Sequence, residues 1–164
     1  MASSTTGGGH PTRHDRPLLT DIEERAWRGL LCTRGSVLSA LDRELELAER
    51  LSVSGYEVLL WLARATPGRL RMKDLADTLL MSPSGLTRVV AELERRGAVI
   101  RSRCADDGRG VEVELTDVGR SAFRRARQTA IGVLRTWFLD HLDDVQVRAL
   151  ADIWHAVGAQ PASP

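Results

Sequence analysis

Met81-Ser82-Pro83-Ser84-Gly85-Leu86-Thr87-Arg88-Val89-Val90-Ala91-Glu92-Leu93-Glu94-Arg95-Arg96-Gly97 carries start and stop signals for a single helix. Ser82 suits the N-cap, where its hydroxyl accepts from a free backbone N–H. Pro83 then falls at the first helical position, where a missing N–H is harmless. Leu86, Val89, Val90 and Leu93 recur at helical spacing and form one apolar stripe. Gly97 suits the left-handed cap that closes a helix. The opposite face carries Ser84, Gly85, Thr87 and Arg88: short hydroxyls, no bulk and one guanidinium. Such a face fits a DNA major groove, where Ser and Thr reach bases or phosphates and Arg forks onto guanine. An amphipathic surface helix would share the stripe, so the neighbouring segments decide the reading.

Upstream, Lys73 to Leu80 is a short helix with Leu75, Ala76, Leu79 and Leu80 inward. Before it, Val58, Leu59, Trp61, Leu62 and Ala65 make a buried helix. Ser54 and Glu57, at capping-box spacing, are expected to start that helix, and Thr66-Pro67-Gly68 stops it. Leu70-Arg71-Met72 fits one short strand. Helix, short helix, turn, helix is the helix-turn-helix succession.

Downstream, Ala98 to Arg103 reads as a strand, and 105–110 is a turn by its Asp and Gly content. Val111-Glu112-Val113-Glu114-Leu115 alternates strictly, as a second strand does. A β-hairpin directly after a helix-turn-helix is a wing.

Long helices flank this unit. The first opens at Thr20, with Glu23 at capping-box spacing, and runs to about Arg50. Ile22, Ala26, Leu30, Val37, Leu41, Leu45 and Ala48 form its stripe; Trp27, Leu31, Leu38 and Leu47 widen it. Thr116 caps another helix, predicted to reach about His141. Asp143 or Asp144 caps a last one containing Val147, Leu150, Ala151, Ile153, Trp154 and Val157. A winged domain of about 60 residues cannot cover so much apolar surface alone, and a homodimer is the economical way to bury it.

Bulk composition narrows the function. The chain has 164 residues, 43% hydrophobic and 27% charged, with a net charge of +1. A broadly basic nucleic-acid binder is excluded, so any DNA footprint is local. Residues 69–109 hold nine basic residues (Arg69, Arg71, Lys73, Arg88, Arg95, Arg96, Arg101, Arg103, Arg109). They hold six acids (Asp74, Asp77, Glu92, Glu94, Asp106, Asp107). Two distant cysteines, Cys32 and Cys104, make neither a metal spacing nor a disulfide framework, which fits a reducing cytosol. No apolar run approaches the roughly 20 residues of a membrane span, and no signal peptide is expected. The four histidines do not converge with acids or nucleophiles, and no glycine loop cradles a phosphate. No catalytic residue, metal or cofactor is expected, and an enzyme is disfavoured.

In order and motif the chain closely resembles the MarR family of bacterial transcriptional regulators over about residues 18–157. The likeness rests on Leu75-Ala76, on Ser82 to Arg88 with Leu93 to Gly97, on Arg101, on Asp107-Gly108-Arg109-Gly110, and on Leu115-Thr116-Asp117-Val118-Gly119. The expected fold is mainly α with a small β-hairpin wing (α+β). Residues 51–116 form the winged helix-turn-helix, 18–50 and 117–158 the dimerisation helices, and 1–17 and 159–164 tails.

The resemblance implies a cytoplasmic homodimer that binds double-stranded DNA at a pseudo-palindromic operator, as a repressor. Ser82, Ser84, Gly85, Thr87 and Arg88 lie on the reading helix. Asp107 and Arg109 match an acid-x-arginine wing motif, in which a carboxylate pre-sets a guanidinium for the narrow, negative minor groove. Here Gly108 stands between them and Asp106 adds an acid that softens the tip. Arg101 and Arg103 alternate on the first wing strand and face either phosphates or plain solvent. Arg95 and Arg96 are expected to be solvated or paired with Glu92 and its neighbours.

Relatives of this kind take a small aromatic or phenolic effector between the dimer helices and the winged domain. Trp27, Tyr56, Trp61 and Cys32 are the candidates, although Trp61 sits in a Leu-rich stripe and reads first as core. Tyr56 reads as a packed residue with a wet hydroxyl. Cys32 is an alternative redox sensor if its thiol is accessible; otherwise it is a small buried apolar residue. A winged-helix module used for protein contacts, without DNA binding, is the other alternative.

Overall fold

The computed structural model describes residues 18–103 and 110–158. The chain divides into two units, Met1–Arg34 and Gly35–Pro164. The first holds the beginning of α1 (Asp21–Glu49). There the expected capping box is present. The Glu23 carboxylate accepts from the Thr20 backbone N–H at 2.7 Å and from its hydroxyl at 2.8 Å.

In the second unit the rest of α1 is followed by α2 (Val53–Arg64), β1 (Arg69–Arg71), α3 (Met72–Thr78) and α4 (Pro83–Arg95). Then come β2 (Val99–Arg103), β3 (Val111–Leu115), α5 (Asp117–Trp137), a 3-10 turn (Leu139–His141) and α6 (Asp144–Ala156). The mainly helical winged fold is therefore as expected.

Local chemistry moves some boundaries. α2 is capped by Ser52, not Ser54: the Ser52 hydroxyl accepts from the Gly55 N–H at 3.1 Å. The Val53 N–H is also taken by Asp42 Oδ1 of α1 at 3.1 Å, which fixes the start before Ser54 is reached. α5 stops at Trp137 and tightens into the 3-10 turn, short of the single helix expected to His141. Asp143 caps α6 in a full capping box with Gln146.

The wing belongs to a three-stranded antiparallel sheet in the order β1-β3-β2. Leu70 pairs with Val113 and Arg101 with Val113 from the other side. Val113 and Leu115 are buried, whereas Glu112 and Glu114 are half-buried, as the alternation requires. β1 is only three residues long, so its pairing was invisible to periodicity.

The core gathers Leu45 from α1, Val58, Leu59 and Leu62 from α2, and Leu75 from α3. Leu86, Val90 and Leu93 from α4 join Val99 and Val113, all but fully buried. The stripe read from the sequence is therefore the inner face of α4.

α4 ends as expected. Gly97 takes a φ of +68°, and the Ala98 N–H donates to Leu93 O at 2.9 Å, a Schellman close. The same close ends α3 without a glycine. Leu80 adopts a φ of +52° and is 93% exposed, while the Met81 N–H donates to Ala76 O at 3.0 Å. Leu80 thus points outward, not inward as its place in the stripe suggested.

Thr116 joins the end of α4, the wing and α5. Its hydroxyl donates to Gly97 O at 2.7 Å, lies 3.0 Å from Ala98 O, and accepts from the Gly119 N–H at 3.0 Å. Gly119 is buried so tightly that a Cβ there would lie 2.0 Å from Ala98 O and 2.7 Å from Leu115 Cδ1. Ala98 O has little room to yield, because the Thr116 N–H also donates to it at 3.1 Å. Gly119→Ala is expected to destabilise the domain by about 3 kcal/mol, the upper end of ordinary overpacking. Denaturant unfolding measures this, and an unchanged midpoint would show that β2 and α5 separate without cost.

Candidate nucleic-acid interface

With Leu86, Val90 and Leu93 turned inward, helical geometry carries Ser84, Thr87 and Arg88 to the outside, and all three are exposed. Ser84 and Arg88 are four residues apart and Thr87 lies beside them, so one patch holds two hydroxyls and a guanidinium. Gly85 is half-buried between Ser82 and Met81; a Cβ there would touch Ser82 Oγ at 3.0 Å.

The hydroxyls are not equivalent. Ser82 Oγ accepts from the Gly85 N–H at 3.1 Å and lies 3.4 Å from Ser84 Oγ. It is a helix cap first, with its remaining capacity facing out. Thr87 Oγ1 donates to Pro83 O at 2.7 Å. Its proton is thus committed to the helix, and it offers a partner only lone pairs and a methyl group. Ser84 and Arg88 are therefore the outward donors.

The positive charge around α4 is smaller than the count of basic residues. Arg95 is ion-paired with Glu92, and Arg69 lies 3.9 Å from Glu112. Arg96 is exposed, as expected, but it bonds the end of α1 and not Glu92. Its guanidinium donates to Glu49 O at 2.9 Å and Arg50 O at 2.5 Å, both at the end of α1.

Arg101 is held by Glu94, with Nε 2.9 Å from the carboxylate and a second, shorter bond through Nη2. The hydrogen bonding holds the Glu94 carboxyl below its ordinary 4.5 and raises the Arg101 guanidinium. So the two wing-strand arginines differ: Arg101 binds the wing to α4, while Arg103 at the strand end is exposed. Among the described residues, Arg88, Arg103 and Lys73 form no ion pair. Asp107 and Arg109, with Cys104, Asp106 and Gly108, lie outside the described residues.

The effector candidates fall in separate settings. Trp27 is 53% exposed on the first part of α1, and Cys32 is exposed too, contrary to the buried residue expected. Tyr56 stacks on Phe123 of α5 with ring centroids 6.0 Å apart. Burial pushes its hydroxyl up, and Arg127 and Arg64 oppose that. Trp61 is half-buried, with the Arg64 guanidinium 5.7 Å from its ring centroid. Tyr56 and Trp61 thus sit on one helix with different partners. No cluster of His, Cys, Asp and Glu fit to hold a metal occurs among the described residues. No described helix is long and apolar enough to cross a membrane.

Sequence reading missed Glu94, Arg96 and Glu49. Glu94 carried a faint signal, an acid on α4 seven residues before an arginine across a glycine cap. Arg96 carried none, because its partners are carbonyls far upstream in the chain.

This architecture is shared with known proteins. A model described as the MarR family matches residues 51–110. Sco3205, a MarR family transcriptional regulator from Streptomyces coelicolor solved in complex with DNA, is 33% identical. That match covers 88% of this chain and 96% of that one, with a TM-score of 0.79. AbsC, another such regulator from the same organism, is 28% identical over 88% of this chain and 97% of its own, with a TM-score of 0.78. CouR from Rhodococcus jostii RHA1, solved bound to p-coumaroyl-CoA, is 26% identical over 79% of this chain and 90% of its own, with a TM-score of 0.67.

The Glu94–Arg101 pair gives a signed pH dependence. Glu94 is depressed in the folded chain, so its contribution is present above its unfolded value and is lost as pH falls through the folded one. Glu94→Gln should therefore be less stable than the parent at neutral pH. The gap should close as pH drops below about 4.5. Thermal melts of both proteins across pH 3–7 (about this range) check it; a gap independent of pH would exclude the ionised pair as its source.

Proposed function

The chain belongs to the MarR family of transcriptional regulators, and we propose that it works as a homodimer that represses by occupying a pseudo-palindromic operator. On this reading α4 enters the major groove of each half-site. Ser84 and Arg88 donate to bases or phosphates, Thr87 accepts or contacts a thymine methyl, and Ser82 holds the helix start. Arg103, and Arg109 braced by Asp107 at the wing tip, reach the flanking backbone and minor groove. Arg101 serves as the wing's brace through Glu94.

The observation that carries this reading is the two-faced character of α4. Leu86, Val90 and Leu93 are buried, while Ser84, Thr87 and Arg88 stand exposed at its N-terminal half. Dimerisation through residues 18–50 and 117–158 is supported by apolar surface that the single chain leaves open. Ile22, Leu30 and Leu31 are exposed on α1; Ile131 and Trp137 are exposed on α5; and α6 buries no residue at all. Residues 51–116 then act as the reading unit, and the protein works in the cytoplasm, where its DNA is.

Release by a small aromatic or phenolic ligand is the regulation we favour; the p-coumaroyl-CoA held by CouR supports this class. Release by oxidation is a second reading, favoured by the exposure of Cys32. If it holds, peroxide abolishes duplex binding by the parent and spares Cys32→Ser. Equal loss in both proteins removes Cys32 from the mechanism.

A salt titration of duplex binding by full-length protein tests the central claim. Affinity should fall steeply with salt, as phosphate neutralisation requires. Arg88→Ala should cost about 1–3 kcal/mol and relax sequence choice, while Arg109→Ala should weaken binding across sequences. Parent-like binding by both variants would mean that another surface, or no DNA surface, is used. Sedimentation mass at micromolar concentration checks the dimer, and a monomer there would count against it.

A further inference from the structure

The end of α1 closes through its own backbone, the Arg50 N–H donating to Glu46 O at 3.0 Å and the Leu51 N–H to Leu45 O at 3.2 Å, but this leaves the last carbonyls unpaired within the helix. Its last turn contains no basic residue, and Arg50 beyond it is left-handed, with a φ of +52°. The outward carbonyls of Glu49 and Arg50 need donors, and the negative end of the helix favours a cation. Both are supplied by Arg96, the C-cap residue of α4, whose guanidinium bonds the two adjacent carbonyls at 2.9 Å and 2.5 Å. Glu49 also works in the other direction. Its carboxylate accepts from Arg125 Nε on α5 at 3.0 Å, and its side chain is only 14% exposed. Glu49 is thus held through its backbone by α4 and through its side chain by α5.

The packing beneath α4 does not do the same job. Leu86, Val90 and Leu93 are held by burial, which is non-directional and tolerates small rotations and slides. Two hydrogen bonds from one planar fork onto fixed carbonyls are directional and resist them.

We infer that Arg96 is a positioning residue: its fork on the end of α1, continued through Glu49 to Arg125, fixes the angle at which α4 stands to the long helices. In a dimer built on α1 and α5 this joint sets the separation and parallelism of the two reading helices, and so the half-site spacing that is accepted. The inference rests on the dimer proposed above. Arg95 offers an internal contrast. It is adjacent, equally charged and paired with Glu92 on its own helix, so it has no part in the joint.

The test uses full-length protein with Cys32→Ser, Cys104→Ser and Ser84→Cys, carrying one nitroxide per chain on α4. Pulsed dipolar spectroscopy then reads the distance between the two labels without DNA, alongside melting temperature and sedimentation mass. A single narrow distribution is expected in this background. Adding Arg96→Gln should widen or shift it, Arg96→Lys should do so less by keeping one donor, and Arg95→Gln should leave it unchanged. Arg96→Lys also keeps the charge at the helix end, so the comparison survives if Arg96→Gln folds poorly. A lowered melting temperature with the parent's distribution would make Arg96 an ordinary helix cap and overturn the proposal. A monomer mass with no dipolar signal would instead overturn the dimer on which it rests.

Discussion

The hydroxyl of Thr116 holds together the parts that a winged helix must keep in register. It reaches Gly97 O at the close of α4 and Ala98 O at the start of the wing strand, and it receives the Gly119 N–H from the first turn of α5. Three elements therefore share one oxygen. The crossing is so close that α5 enters against backbone at Gly119, where no side chain fits. The motif Leu115-Thr116-Asp117-Val118-Gly119 follows from this geometry. Leu115 is the buried end of β3, Thr116 is the cap and cross-link, Asp117 sits at the positive helix end, and Gly119 is the clearance. Displacing this junction would move the wing relative to α4, however well the apolar core beneath remained packed.

Above that junction most of the charge on α4 and β2 is spent on shape. Glu92 takes Arg95, Glu94 takes Arg101, and Arg96 closes α1. These exposed pairs add little to stability individually. Their directionality matters more, because the two from Glu94 and Arg96 run between elements. They orient the helix that the proposed function would press into DNA. What remains for phosphate is a short set, of which Arg88, Arg103 and Lys73 are described. The modest net charge of the chain is therefore compatible with a DNA surface only if that surface is narrow and well aimed.

Much of the fold was legible in the sequence because it is encoded locally. Caps at Thr20, Ser82, Thr116 and Asp143, the α4 stripe and Gly97 each depend on residues within a turn of one another. The errors arose where a distant partner decides. Asp42 sets the start of α2 through the Val53 N–H, displacing Ser54. The short strand β1 was expected and is present one residue earlier than read, but its pairing with β3 was not legible in three residues. Leu80 looked like core by spacing, but the chain reverses on it, and its left-handed backbone throws the side chain outward. At the site, the exposed face of α4 was readable from its buried one. The commitment of Thr87, Arg96 and Arg101 to internal partners was not, since it depends on which atoms of the folded chain come within reach.

That commitment bears on why one copy would not suffice. Each phosphate neutralised contributes a slope of about −0.9 to the logarithmic salt dependence of duplex binding. With Arg95, Arg96 and Arg101 engaged within the chain, a single winged domain has few cations left to contribute. The groove contacts proposed for Ser84, Thr87 and Arg88 would add discrimination but cover only a few base pairs. Doubling the surface through a fixed joint is then the economical route to affinity, because the second half-site is met at high effective concentration once the first is bound. The gain depends on rigidity: if α4 swung freely, the second helix would miss its groove and the advantage would fade. Internal use of the arginines and the proposed pairing of chains are thus linked, the first lowering what one subunit can bind and supplying the stiffness that makes two effective.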